Sequence, residues 1–141
     1  MLSVESVAKI LGLPDKRPTS PYVLISRIED GLPPNSVERI AQLLAPYDAQ
    51  FKYRLVPKAT YERRKASRRL SFDEGTRLAR IARIWALALD VWQTEEGARE
   101  FLFRPHAMLG DRRPVDLIIQ SEFGAELVID VLGGLKYGTA A

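Results

Sequence analysis

Thr60, Arg63 and Arg64 have the residue types and spacing to grip a polyanion from one turn of helix. An arginine fork donates two parallel hydrogen bonds to a phosphate or to the O6/N7 edge of a guanine. Lys58, Lys65, Arg68 and Arg69 surround them and suit phosphate contacts, which position a protein on a duplex without reading its sequence. The charge is concentrated in this segment. Residues 52–83 hold 11 Lys/Arg against 3 Asp/Glu, whereas residues 1–51 hold 5 against 6 and residues 84–141 hold 5 against 9. A basic segment alone is usually a solvated face. Where it coincides with a helix-turn-helix pattern, it points to nucleic acid.

Other chemistry has little to work with. The 141 residues include no cysteine and one histidine, His106, so a thiolate or histidine metal site and a nucleophile–base pair are not expected. Asp111, Asp116 and Glu122 read as helix caps and dipole partners, and His106 as a capping or packing residue. No glycine-rich phosphate loop and no metal-ligand spacing is present. The expectation is a binding protein, not an enzyme, with no cofactor. Residues 1–9 lack the features of a signal peptide, and no apolar run approaches the ~18 residues that suggest a membrane span. A cytoplasmic protein is expected.

The elements that must carry these residues read as all-α. Leu70 to Trp92 is the organising stretch. Ser71 and Glu74 have capping-box spacing, and Leu78, Ile81, Ala82, Trp85, Leu89 and Trp92 share one helical face. Ile84, Leu87 and Val91 add a second apolar face, so the far half should be buried. Before it, Ser3 is read as the cap of Val4–Leu11, with a loop from Pro14 to Pro21. Tyr22–Asp30 is ambiguous between strand and helix, with helix favoured by Gly31 as a C-cap. Asn35 and Glu38 repeat the capping-box pattern ahead of Ser36–Leu44. Short helices follow near 48–55, with Asp48 as cap, and over 58–67. Three short helices with tight links fit a helix-turn-helix unit. After Trp92, Thr94 caps a helix to Leu102, Pro114 opens another, and Ser121 caps a last helix, Glu122–Leu132, stopped by Gly133-Gly134. Leu135 to Ala141 then forms a small apolar tail with Tyr137 as an aromatic anchor, suited to entering a cleft.

The ordered set Arg104-Pro105-His106-Ala107-Met108-Leu109-Gly110, Arg113-Pro114-Val115-Asp116-Leu117, Glu122-Phe123-Gly124-Ala125, Leu132-Gly133 and Tyr137-Gly138 resembles the toxin-binding domain of the Xre/MbcA/ParS antitoxins. Arg54 to Thr60, Arg63-Arg64 and Arg69-Leu70-Ser71 resemble the Xre-type helix-turn-helix of the same family. Gly134 and Lys136 depart from it, standing where the family often has an arginine and an acidic residue. The helix-turn-helix also lacks a glycine in its turn.

The resemblance implies a type II antitoxin paired with a RES-domain toxin that consumes NAD⁺. It implies a helical homodimer that represses its own operon by binding DNA. It implies a C-terminal segment, Leu135, Lys136, Tyr137, Gly138, Thr139, Ala140 and Ala141, that covers the toxin's active-site entrance. The implied organisation is an extension over 1–30, the helix-turn-helix over 31–70, and a toxin-binding domain over 71–141 built around the long central helix. The competing reading is a helix-turn-helix regulator with a helical dimerisation domain and no toxin.

Overall fold

The computed structural model describes residues 4–13 and 20–138, and the Ser3 cap and most of the Pro14–Pro21 loop lie outside them. Among the described residues the fold is all-α, and the only extended pairing is an antiparallel bridge between His106 and Arg112. The chain divides into two compact units, residues 1–82 and 83–141.

The first unit contains α1 (Val4–Ile10), α2 (Pro21–Asp30), α3 (Asn35–Leu44), α4 (Lys52–Leu55), α5 (Lys58–Ser67) and the first half of α6 (Phe72–Trp92). The ambiguous segment after Pro21 is helical: Ser20 Oγ accepts the Val23 amide at 3.2 Å, and the proline sits in the first turn, where its missing N–H is harmless. The apolar spacing of α3 places Val37, Ile40 and Leu44 in the core with Leu11, Leu32, Leu55, Leu78 and Ile81. The end of α1 is held by α3, because Ser36 Oγ donates to the Leu11 carbonyl at 2.7 Å and Arg39 reaches the Lys9 carbonyl at 3.2 Å. These side chains satisfy carbonyls that a helix end leaves without an intrahelical partner.

The second unit holds the rest of α6, α7 (Glu95–Phe103), a 3-10 turn (Ala107–Leu109), α8 (Pro114–Gln120) and α9 (Glu122–Tyr137). Thr94 and Ser121 cap α7 and α9 as their spacing predicts, accepting the Gly97 and Gly124 amides, each at 3.0 Å. Trp85 is buried, with the Arg99 guanidinium 5.7 Å from its ring.

Five expectations are corrected by the structure. The last helix does not stop at Gly133-Gly134. It continues to Tyr137 and ends at Gly138, whose left-handed φ of 69° makes it the C-cap, with its amide on the Gly134 carbonyl. Two glycines weaken a helix by about 1 kcal/mol each, but Ala125, Val128 and Leu132 are buried along α9 and hold it in place. The Asn35/Glu38 pattern is not a capping box, because α3 starts from Pro34 without a side-chain cap and Glu38 turns to partners in α4 and α5. The helix expected over 48–55 is confined to Lys52–Leu55, and Asp48 accepts the Gln50 amide at 2.9 Å in the turn before it. The expected tail therefore begins inside α9. Finally, Trp92 is 42% exposed although it shares the core face of α6. It stacks at 5.9 Å on Phe101 at the margin of the unit.

Candidate nucleic-acid interface and C-terminal face

α5 is a ten-residue helix with one buried side chain, Tyr61. Its other residues are mostly charged, so packing alone orients it weakly. Lys58, Arg63 and Lys65 are exposed, and so are Arg68 and Arg69 just beyond its end. Thr60 is half-buried, and its hydroxyl accepts from Arg63 at 3.3 Å. Lys65 pairs with Glu62 at 3.3 Å, a contact between two exposed side chains that a phosphate could displace at little loss. Arg68 ends α5 in the left-handed region at φ 65°. The charged face thus brings Lys58, Arg63, Lys65, Arg68 and Arg69 to the surface of one element and the turn that follows it.

Arg64 lies apart from this group. Its Nε and Nη2 donate to Glu74 Oε1 and Oε2 at 2.8 and 3.1 Å. Glu74 is the acid of the capping box at the start of α6, which forms as its spacing predicts. The Ser71 amide donates to Glu74 Oε1 at 2.8 Å, and the Glu74 amide donates to Ser71 Oγ at 3.1 Å. Glu74 is buried, yet every oxygen of its carboxylate has a donor.

A second carboxylate serves the other end of α5. Glu38 of α3 accepts from the Tyr61 hydroxyl at 2.7 Å and from Lys52 at 3.0 Å. Arg77 of α6 donates to the Leu55 carbonyl at 2.7 Å and closes the end of α4. Nothing in the sequence pattern singled out Glu38, Tyr61 or Arg77 for these roles. The available signal was Tyr61 itself, the one large ring on an otherwise polar helix.

Burial and the bond to Glu38 push the Tyr61 phenol well above its usual range. The Tyr61 bond, against a smaller burial penalty and with help from Lys52, holds Glu38 below 4.5. Burial pushes Glu74 up, but the Arg64 and Ser71 hydrogen bonds together outweigh it and hold Glu74 below 4.5 as well. Lowered carboxyl values stabilise the fold fully above 4.5, and that stability is lost as pH falls through the folded-state values. Melting followed by circular dichroism should hold steady from about pH 7 to 5 and fall in more acid buffer. Glu74→Gln should flatten that acid fall. An equally steep fall in the variant would remove Glu74 from the account.

In the second unit, Leu135, Lys136 and Tyr137 form the last turn of α9, Gly138 caps it, and Thr139, Ala140 and Ala141 lie outside the described residues. Lys136 bonds Asp90 of α6, and this bond raises the lysine's basicity. The departure from the family pattern at Lys136 thus has its own partner within the unit. At 3.6 residues per turn, Phe123, Leu127, Asp130, Gly134 and Tyr137 fall on one side of α9. Phe123 and Tyr137 are 76% and 71% exposed and Leu127 is 41% exposed, so this side shows three large apolar side chains to solvent around the exposed Asp130. His106 is a packing residue: its Nε2 lies 3.0 Å from the Phe101 carbonyl and its ring 4.8 Å from the Phe101 ring. Among the described residues no acidic or histidine cluster could hold a metal, and no helix is long and apolar enough to cross a membrane.

Comparison with known proteins divides the chain in the same sense. Residues 23–83 match the family model of the antitoxin Xre-like helix-turn-helix domain, which takes in α2 to α5 and the first half of α6. Residues 87–138 match the antitoxin Xre/MbcA/ParS C-terminal toxin-binding domain, which takes in α7 to α9. Over 131 residues the chain is 29% identical to Antitoxin Xre of Yersinia enterocolitica serotype O:8 / biotype 1B (strain NCTC 13174 / 8081), covering 91% of this chain and 86% of that protein. With both domains matched in order and a curated relative aligned through both, the chain belongs to the Xre/MbcA/ParS-type antitoxins.

Proposed function

We propose that this antitoxin inhibits a RES-domain toxin that consumes NAD⁺, and that as a homodimer it represses its own operon. Inhibition is by binding and needs no catalytic group in this chain. The observation that carries the reading is the exposure of Phe123, Leu127 and Tyr137 on one side of α9, around Asp130, inside the residues that match a toxin-binding domain. Large exposed apolar side chains on a firmly packed helix are characteristic of a protein-binding face. On this reading the folded helix makes the tight contact. Its end, from Leu135 through Tyr137 to Ala141, then covers the toxin's active-site entrance.

Repression rests on α5 and the turn after it. Arg63 and Thr60 face base edges, and Lys58, Lys65, Arg68 and Arg69 meet phosphates. Two copies joined by symmetry would present two such helices to paired half-sites.

The test is co-expression with the neighbouring gene, co-purification, and measurement of NAD⁺ loss by the purified toxin with antitoxin added back. Because α9 runs to Tyr137, two truncations are informative. Removing Thr139–Ala141 leaves the helix and its cap. Removing Leu135–Ala141 also removes the last helical turn and the Lys136–Asp90 bond. The longer truncation is expected to lose most of the protection of NAD⁺. If it protects as well as the full chain at equal concentration, the end of α9 is not the inhibitory element.

A further inference from the structure

We propose that Arg64 is a positioning residue: through Glu74 it fixes the DNA-binding helix α5 onto the start of α6, and it does not itself touch DNA. This rests on the reading of α5 as the helix that meets DNA. Its basis is where each side chain of α5 goes.

α5 itself buries only Tyr61, so the hydrophobic effect holds the helix at one point between its buried flanks Val56 and Leu70. A helix that must present a particular edge to a groove needs a second fixed point. Arg64 supplies it three residues later, on the same face as Tyr61. Each of the two side chains ends on a carboxylate of a different neighbouring helix. Tyr61 donates to Glu38 of α3 at 2.7 Å, and Arg64 donates twice to Glu74 of α6 at 2.8 and 3.1 Å. A two-bond fork fixes direction as well as distance, which one lysine ammonium does not.

Glu74 is itself held on several sides. It is 8% exposed, accepts the Ser71 amide, and opens the longest helix of the chain. The link between the two helices, residues 68–71, is tied down as well, since the Leu70 amide donates to the Leu32 carbonyl at 2.8 Å. The Arg64 side chain is 28% exposed, whereas Arg63 beside it is an exposed residue. Two adjacent arginines thus do different work. Breaking the Arg64 fork to reach a phosphate would leave the buried Glu74 carboxylate without its counter-charge.

The experiment measures affinity for a labelled duplex spanning the region upstream of the chain's own reading frame, across a series of salt concentrations. The slope of log affinity against log salt counts the phosphate charges the protein neutralises. Lys58→Ala, at a side chain read as meeting phosphate, should lower that slope by about 0.9. Arg64→Ala should weaken binding about tenfold, as loss of a charge-assisted contact does, and leave the slope unchanged. Arg64→Lys should not restore affinity, although it restores the charge.

Glu74→Gln gives the sharpest contrast, because it keeps size and removes a negative charge beside the DNA-binding surface. On charge alone it should tighten binding. As the partner of a positioning arginine it should weaken binding severalfold. Circular dichroism of each variant separates a displaced helix from an unfolded protein. If Arg64→Ala does not fold, Glu74→Gln still decides. A slope that falls by about 0.9 in Arg64→Ala, or tighter binding by Glu74→Gln, overturns the proposal. Absence of binding by the unmodified chain would instead sink the reading of α5 as the DNA-binding helix, and the proposal with it.

Discussion

Gly124→Val is expected to abolish the folded state of residues 83–141, and Gly124→Ala to destabilise it by about 3 kcal/mol, the upper end for an overpacked core. A Cβ on Gly124 would lie 2.2 Å from the Leu117 carbonyl oxygen and 2.8 Å from its carbon. The obstacle is backbone, so no side-chain rotation relieves it. Neither partner has room to yield. The Leu117 carbonyl accepts the Ser121 amide at the end of α8, and Gly124 is buried in the first turn of α9 ahead of Ala125 and Val128. Domain stabilities of 5–15 kcal/mol make a loss of this size severe. Gly133 provides the internal comparison. It lies in the same helix, with open space for at least 4 Å around the place a Cβ would take. Gly133→Ala should therefore stabilise by up to ~1 kcal/mol through helix propensity. Urea denaturation of the three variants, followed by tryptophan fluorescence, checks both signs. Equal midpoints for Gly124→Ala and the unmodified chain would show that the α8–α9 corner relaxes freely.

The second large effect is on the partner. Phe123→Asp combined with Leu127→Asp should weaken toxin binding by about a hundredfold or more, in the range of interface anchors. The melting temperature should move little, because neither side chain is buried. The contrast with Gly124 is useful, since there lost binding would follow lost folding and here it would not. Calorimetry with the purified toxin reads the affinity. A double variant that binds and protects NAD⁺ like the unmodified chain would place the interface on another surface of the unit.

The sequence made the helices and most of their caps legible, because these depend on neighbours within four residues. Ser71/Glu74, Thr94 and Ser121 cap where their spacing placed them. The limits of such reading show in the two capping-box patterns. Asn35/Glu38 and Ser71/Glu74 look alike in sequence, yet Glu38 is drawn away by Tyr61 and Lys52, which lie 23 and 14 residues on. No local rule contains those partners. Arg64 illustrates the same limit for the site. Beside Arg63 it reads as a second hand for DNA, and only the fold shows its fork committed to Glu74. Gly133-Gly134 reads as a stop, but burial of Leu132 and the cap at Gly138 carry the helix through it. The exposed apolar side chains of α9 are half legible in the sequence. Phe123 and Leu127 stand at helical spacing, and that spacing gives no sign of which apolar face a neighbour covers.

Ser121 is at once the C-cap of α8 and the N-cap of α9, so these two helices meet with no spare residue between them. That makes the corner a gear with a fixed phase. One inserted residue there would turn the whole of α9 by about 100° about its axis and carry Phe123, Leu127 and Tyr137 around to a different side. Across relatives of this chain, length variation should therefore collect at other junctions. The angular setting of α9 should be inherited as a unit with the corner that sets it.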